Sequence, residues 1–274
     1  MGTGVTRGVV TVRIVISDST DVYRNLAIEE WLLDHASEGA PILFICVNSP
    51  CVVIGKNQNP WRECRLSDMK TDGITLARRI SGGGAVYHDE GNLNFGIVVP
   101  RTEYREEKQY ACIVRALERF GIQASMLGKT SMAINGLKFS GQAFCFRGES
   151  VLHHGTLLVN SDLNRLRRYL GPELEGIETR AVASVPADVA NLTDFAPALT
   201  ISALSDAVIE SFRTMYGGGR DDRWSASQIP EQEMDSIRER ISATDWIFGC
   251  TPRFQVTVKG QRIEVEKGRF PPEP

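Results

Sequence analysis

Residues 78–92 read RRISGGGAVYHDEGN, and what flanks them decides the fold. On one side Ile74 to Ala77 (ITLA) is a short apolar run that ends a strand; on the other, Asn94 to Pro100 (NFGIVVP) is a buried strand stopped by proline. A glycine run between two strands is not the strand-to-helix turn of a dinucleotide fold, which needs GxGxxG, nor a P-loop, which needs GxxxxGK[ST]. Gly82, Gly83 and Gly84 carry no Cβ, so they can take positive φ and present peptide N–H groups to a ligand. With Arg78 and Arg79 beside them, they are predicted to form an anion cradle.

Outward from this loop, the chain alternates irregularly. Val9 to Ser17 is a strand, with Asp18-Ser19 supplying turn and cap chemistry. Asn25 to His35 is a helix whose apolar face carries Leu26, Ala27, Ile28, Trp31 and Leu32, leaving Glu29 and Glu30 toward solvent. Pro41 to Val47 and Cys51 to Gly55 form a strand pair around Asn48-Ser49-Pro50, and Trp61 to Lys70 is a short helix. Lys108 to Phe120 is helical and closed by Gly121. Ala133 to Cys145 (AINGLKFSGQAFC) is a hairpin with Asn135-Gly136 at its tip, which sets Lys138 and Ser140 on one strand face. Val151 to Val159 is a strand, and Leu163 to Leu170, Thr200 to Tyr216 and Glu231 to Arg240 are helices. Gly217 to Asp222 is a loop, and Arg253 to Glu266 is a hairpin around Lys259-Gly260 ahead of a proline-rich end. Hairpins without a βαβα rhythm imply an α+β fold, mixed or antiparallel sheets flanked by helices.

Composition narrows the function classes. The chain has 274 residues, 42% hydrophobic and 24% charged, with a net charge of −3. That balance gives no general attraction to nucleic acid or to an anionic membrane, and no apolar stretch is long enough to span one. Six scattered cysteines without CxxC pairs fit reduced thiols in a cytoplasmic protein, not a disulfide framework or a structural zinc site. The opening MGTGVT formally satisfies a myristoylation pattern, a match short enough to arise by chance.

Few residues carry chemistry. A lysine among apolar and small neighbours, as Lys138 is, either reaches a ligand anion or extends to water. Together with the glycine loop, Ser81 and Asn92, it would suit a phosphate-activated acid, whose charge backbone donors and a cation can spread. His153 and His154 are adjacent on a strand, so one of them faces the pocket, and His154 is the choice. His88-Asp89 reads either as a base with its orienter or, preferably, as a loop closure. Cys145 is either an acyl-accepting thiol or a small buried hydrophobe beside Phe144 and Phe146. Trp31 and Trp61 read as core.

Six blocks in order, ISDSTDVYRNLAIEE, VVIGKNQNPWREC, RRISGGGAVYHDEGN, LKFSGQAF, LHHGTLLVNSDL and DWIFGCTPRF, resemble the lipoate-protein ligase A family of the biotin/lipoate protein ligase superfamily. The resemblance covers nearly the whole chain. It implies the class II synthetase-like catalytic domain over residues 1–245, with residues 246–274 a short hairpin tail, remnant or start of an accessory domain. It also implies a reaction in which lipoate and ATP with Mg2+ give lipoyl-AMP, whose acyl group passes to a lysine of a lipoyl-domain or glycine-cleavage H-type carrier. Carried over residue by residue, Lys138 is catalytic through electrostatics. Arg79, Ser81, Gly82, Gly83, Gly84, Ala85, Asn92, Lys138, His154, Gly155 and Thr156 hold substrate and adenylate, and no metal ligand is assigned. Val52, Val53, Ile54 and Val86 are expected to help form the slot for the eight-carbon acid.

Two departures open alternatives. Where the family has Asn-Asp after Gly-Arg, this chain reads Gly128-Lys129-Thr130-Ser131, losing an amide donor and a carboxylate of the kind hard cations prefer. The chain is also short for a ligase with its own accessory domain, which by the resemblance implies either a separate accessory-domain protein as partner or a transferase role. The alternatives are an octanoyl or lipoyl transferase working without ATP, through Cys145, and a non-catalytic acyl-adenylate-binding relative.

Overall fold

The structure, a computed structural model, describes residues 11–36, 39–217 and 220–271. The start of the first predicted strand, the MGTGVT motif and part of the proline-rich end lie outside those residues. In chain order the first half comprises β1 (Thr11–Ile16), α1 (Val22–His35), β2 (Ile42–Cys46), β3 (Cys51–Ile54), α2 (Pro60–Glu63), α3 (Leu66–Thr71), β4 (Thr75–Arg78), β5 (Val86–His88), β6 (Asn92–Pro100) and α4 (Glu106–Glu118). There follow β7 (Ser125–Leu127), β8 (Ser131–Ile134), β9 (Leu137–Arg147), β10 (Ser150–Leu158), α5 (Leu163–Tyr169), β11 (Glu178–Thr179), α6 (Ile201–Tyr216), β12 (Arg220–Ser225), α7 (Glu231–Ser242), β13 (Phe254–Val258) and β14 (Gln261–Val265).

Eight strands form one mixed sheet in the order β12-β1-β2-β6-β10-β9-β8-β7. Its two faces follow from strand alternation. Leu43, Ile45, Leu93, Phe95, Ile97 and Val99 point to α4 and α6, whereas Ile42, Phe44, Cys46, Val98 and Leu152 point to α1 and α7. A smaller sheet, β4-β3-β5, stands beside α1, and Val22 of α1 packs on Cys51, Val53 and Ala77 of that sheet. The architecture is α+β, as the irregular alternation implied.

Five expectations are corrected. The runs 41–47 and 51–55 are both strands but not a pair: β2 joins the large sheet and β3 is the centre of the small one. Both are buried throughout, so their apolar pattern carries no information about which sheet each enters. Residues 220–222, read as the end of a loop, instead open an edge strand over 220–225 that runs parallel to β1; the polar run that opens it is compatible with an edge, where backbone bonding suffices. The helix expected over 61–70 is two, α2 and α3, interrupted where Cys64 is extended and bridges to Leu170. Helix α1 begins at Val22, its true cap being Asp21, whose carboxylate accepts from the N–H of Tyr23 and Arg24.

The fifth concerns Glu29 and Glu30, which are buried instead of solvated. Helix α1 is covered on one side by the sheets and on another by α7, so it has little solvent face. Glu30 is satisfied by Arg147 at 2.9 Å and Arg240 at 2.7 Å, while Glu29 turns inward.

The C-terminal residues are tied to the loop region. Arg78 is fully buried and its guanidinium donates to the carbonyls of Gly55, Lys56, Gln58 and Ile247 and to Thr251 Oγ1. Trp246 Nε1 donates to the Arg78 carbonyl at 2.7 Å. The β13–β14 hairpin turns at Lys259 and Gly260, both at positive φ, and pairs with β11.

Candidate functional site

Two cavities meet at Lys138. An inner slot of about 100 Å³ lies between the N-terminal half of α1, the large sheet and the small sheet; Asn25, Glu29, Phe44, Val53, His88 and His154 are among its walls. An outer cavity of about 680 Å³ lies over β5, β9 and β10, walled by the segment from Leu166 to Val189. Ala85, Val86, Lys138, Gly141 and Thr156 belong to both.

The hairpin delivers Lys138. Asn135 and Gly136 both have positive φ, the conformation a two-residue turn of this kind requires, and the strand that follows carries Lys138 to the junction. Its ammonium is half-buried and has no hydrogen-bond or ion-pair partner among the described residues. Burial first, and then the positive charge of Arg79, pull its pKa below the usual lysine range. An unpaired, partly desolvated cation favours an anionic ligand there.

The glycine loop is held from below by Arg79. Its guanidinium donates to Gly82 O (2.6 Å), Gly84 O (2.8 Å), Val53 O (3.1 Å) and Ser81 Oγ (3.0 Å). The basic pair is therefore architectural: both arginines spend their donors on carbonyls, and burial lowers each pKa to about 10, leaving both charged. Of the three glycines only Gly83 has positive φ, +88°, and a Cβ there would lie 2.7 Å from Arg79 Nη2. With the carbonyls turned to Arg79, the N–H groups of Gly82, Gly83 and Gly84 take no partner among the described residues. The Ala85 N–H is taken by Ser184 Oγ at 2.9 Å.

Beneath the loop runs a polar chain. Ser81 Oγ lies 2.7 Å from His154 Nε2, and His154 Nδ1 lies 2.8 Å from both Glu29 carboxylate oxygens. Strand alternation separates the two histidines as expected. His154 faces the slot. His153 faces the opposite core, stacked on Phe144 with its Nε2 2.5 Å from Gln142 Oε1.

Of the residues predicted for the site, Arg79, Gly84, Ala85, Lys138, His154, Gly155 and Thr156 line the slot. Ser81, Gly82 and Gly83 lie in the loop behind it. Asn92 is buried at the start of β6, bonded to Asn94 Oδ1 and lining neither cavity. Val53 and Val86 face the slot, but Val52 and Ile54 alternate away into the cluster around Tyr87 and Tyr169. Asp89 closes a loop, accepting from the N–H of Gly91 and Asp162, and His88 bonds to Asn48, so the two are not a dyad. Cys145 lies outside both cavities against the α1 core, and burial raises its pKa, so it is not an activated nucleophile. Trp31 and Trp61 are packing residues in the α1 core and in an aromatic cluster with Phe248, Phe254 and Phe270.

Glu29, Asn25 and Asn48 were missed as site residues. A sequence signal existed: LAIEEWLL is apolar around most of the helix, which marks a helix covered on more than one side.

A small slot and a larger cavity sharing one unpaired lysine beside a glycine loop make a two-compartment site suited to an anionic ligand. Residues 21–213 match the lipoyl protein ligase A/B catalytic domain model, and the chain belongs to that family. It is 38% identical over 252 residues to a lipoate-protein ligase A of Psychrobacter cryohalolentis, covering 88% of this chain and 74% of that one. It is also 38% identical to one from Bdellovibrio bacteriovorus, covering 88% and 73%. Among solved structures, P. falciparum LipL1 in complex with lipoate aligns with TM-score 0.77 at 28% identity, covering 93% of this chain and 80% of that one. A lipoate-protein ligase A bound with ATP aligns at 0.69 and 26%, covering 85% and 94%.

Proposed function

We propose that this chain is an ATP-dependent lipoate-protein ligase. The carboxylate of lipoate attacks the α-phosphorus of ATP, forming lipoyl-AMP and releasing pyrophosphate. The ε-amine of a carrier lysine then attacks the acyl carbon, and AMP leaves. The observation that carries this reading is the unpaired Lys138 ammonium where the two cavities meet.

In this assignment the inner slot takes the acyl chain between Val53, Phe44 and Val86, and the outer cavity takes the nucleotide. Lys138 bridges the carboxyl and phosphate oxygens, and because it stays protonated to do so it is not a nucleophile. The free N–H of Gly84, the loop glycine that lines the slot, supplies a further donor, while Gly82, Gly83, Arg79 and the Ser81–His154–Glu29 chain shape and hold the loop. Gly155 and Thr156 form the sheet-side wall, and Asn92 acts at one remove by fixing the start of β6.

Magnesium would arrive as the ATP complex. Among the described residues no cluster of three or more His, Cys, Asp or Glu is placed to hold a metal, and Ser131 offers a hydroxyl where a carboxylate would serve a hard cation.

The carrier is a lipoyl domain. A bi-partite lipoate protein ligase from Thermoplasma acidophilum has been solved in a study with its E2 lipoyl domain, and it aligns at TM-score 0.70 and 26% identity, covering 86% of this chain and 96% of that one. A glycine-cleavage H-type protein is the second carrier to try, and a separate accessory-domain polypeptide is the partner to add. Incubating the chain with lipoate, MgATP and an apo lipoyl domain should raise the carrier mass by one lipoyl group. An unmodified carrier, with and without an added accessory protein, would refute the proposal.

A further inference from the structure

A relay that begins at Ser17 ends on a ring nitrogen without a partner. Ser17 Oγ donates to Asn25 Oδ1. Asn25 Nδ2 donates to the carbonyls of Ser19 (2.9 Å) and Val47 (3.3 Å) and to Asn48 Oδ1 (2.7 Å). Two carbonyl acceptors can only face an NH2 group, so the orientation of both amides is fixed. Asn48 is left with Nδ2 toward His88 Nδ1 at 2.9 Å. An amide nitrogen only donates, so His88 Nδ1 accepts and the ring proton sits on Nε2. That Nε2 is buried and has no hydrogen-bond partner, on a residue only 6% exposed. Burial keeps the ring neutral, with its pKa pushed down to about 3.

His88 lies at the far end of the slot. Val86, two residues earlier on the same face of β5, lines both cavities with Lys138, whereas His88 lines the inner slot alone, with Cys46, Asn48 and Asn94. Two strand residues separate those positions by about 7 Å. An acid whose carboxyl is held at Lys138 therefore directs its other end to His88. The neighbouring polar side chains are engaged: Asn94 bonds to Asn92 and the Cys46 carbonyl, and Glu29 to His154.

We infer that the Nε2–H of His88 is a specificity-determining donor that favours an acid whose distal atoms accept a hydrogen bond, the dithiolane sulfurs of lipoate, over a saturated eight-carbon acid. Asn48 is its positioning residue. The inference rests on the ligase reading above and names which acid the slot prefers. The discrimination is a gain, not a penalty: the N–H has no partner in the free protein, so an acid that brings a disulfide sulfur as acceptor improves its state and a methyl end does not.

Competition between lipoate and octanoate for transfer to an apo lipoyl domain, with MgATP, tests this in the wild type and in His88→Leu. The wild type should prefer lipoate by about tenfold in kcat/KM, the ratio set by one unpaired buried donor. His88→Leu should bring the two acids within about twofold of each other, with the change carried by KM. An unchanged ratio in His88→Leu would overturn the inference. Nitrogen-15 spectra of the wild-type imidazole provide a readout that needs no variant to fold. The proton should be on Nε2, and its resonance should move with lipoate and stay with octanoate; a proton on Nδ1, or equal shifts with both acids, would overturn it. Failure of the ligase reading looks different: neither acid would be transferred.

Discussion

Replacing Lys138 by Met separates a ligand-binding lysine from a structural one. Methionine keeps most of the apolar stem and removes the charge. The ammonium has no protein partner among the described residues, so no native bond is lost, and the partial desolvation that lowers its pKa is relieved. Stability should therefore stay within about 1 kcal/mol of wild type or rise slightly. Activity should fall steeply. A unit charge about 4 Å from a phosphate or carboxyl oxygen is worth about 4 kcal/mol at the effective dielectric of a partly buried site. Loss of one preorganised electrostatic contact commonly costs about 10²–10³-fold in kcat. The assay is the initial rate of lipoyl-domain acylation by mass spectrometry, paired with urea denaturation of both proteins. A rate less than about tenfold below wild type, or a stability loss above about 2 kcal/mol, would refute the electrostatic role.

Three further outcomes follow from the same geometry. Arg79→Lys keeps the charge but cannot reach Val53 O, Gly82 O, Gly84 O and Ser81 Oγ together; it should cost about 2–4 kcal/mol in urea unfolding, and a change below about 0.5 kcal/mol would show that the fork is not a strut. Gly155→Ala places a Cβ 2.9 Å from Gln142 Cγ and from the Phe95 ring, so it should destabilise by about 1–3 kcal/mol and raise KM for lipoate, and wild-type kinetics would contradict it. His88 and His153 both have folded pKa values near 3, lowered chiefly by burial. The unfolded chain takes up those protons first, so stability is unaffected by them above about pH 6.5 and falls as pH drops from there toward 3. Between pH 7 and 5 each should remove about 2 kcal/mol, and a flat urea-unfolding profile over that window would be inconsistent with neutral buried rings.

Local chemistry made much of the fold legible. The Asn135-Gly136 and Lys259-Gly260 turns announce their hairpins because positive φ is a demand few residues meet. The adjacency of His153 and His154 was enough to assign one to the core and one to the slot. What stayed hidden depends on neighbours remote in sequence. Glu29 looks solvent-facing until α7 and the small sheet cover α1, and β2 and β3 look like partners because a fully buried strand carries no alternation to say which sheet it joins. Arg78 and Arg79 read as ligand cations because charge is visible in sequence, whereas the carbonyls that use their donors come from Gly55, Gln58, Ile247 and the loop itself.

The central claim is that an acyl-adenylate sits across Lys138 and is consumed there. Supplying synthetic lipoyl-AMP and an apo lipoyl domain to the purified chain, without ATP, and following carrier mass tests it most directly. Wild type should transfer the lipoyl group and Lys138→Met should transfer it at least about tenfold more slowly. A carrier left unmodified by wild type, or modified equally fast by the variant, would contradict the account.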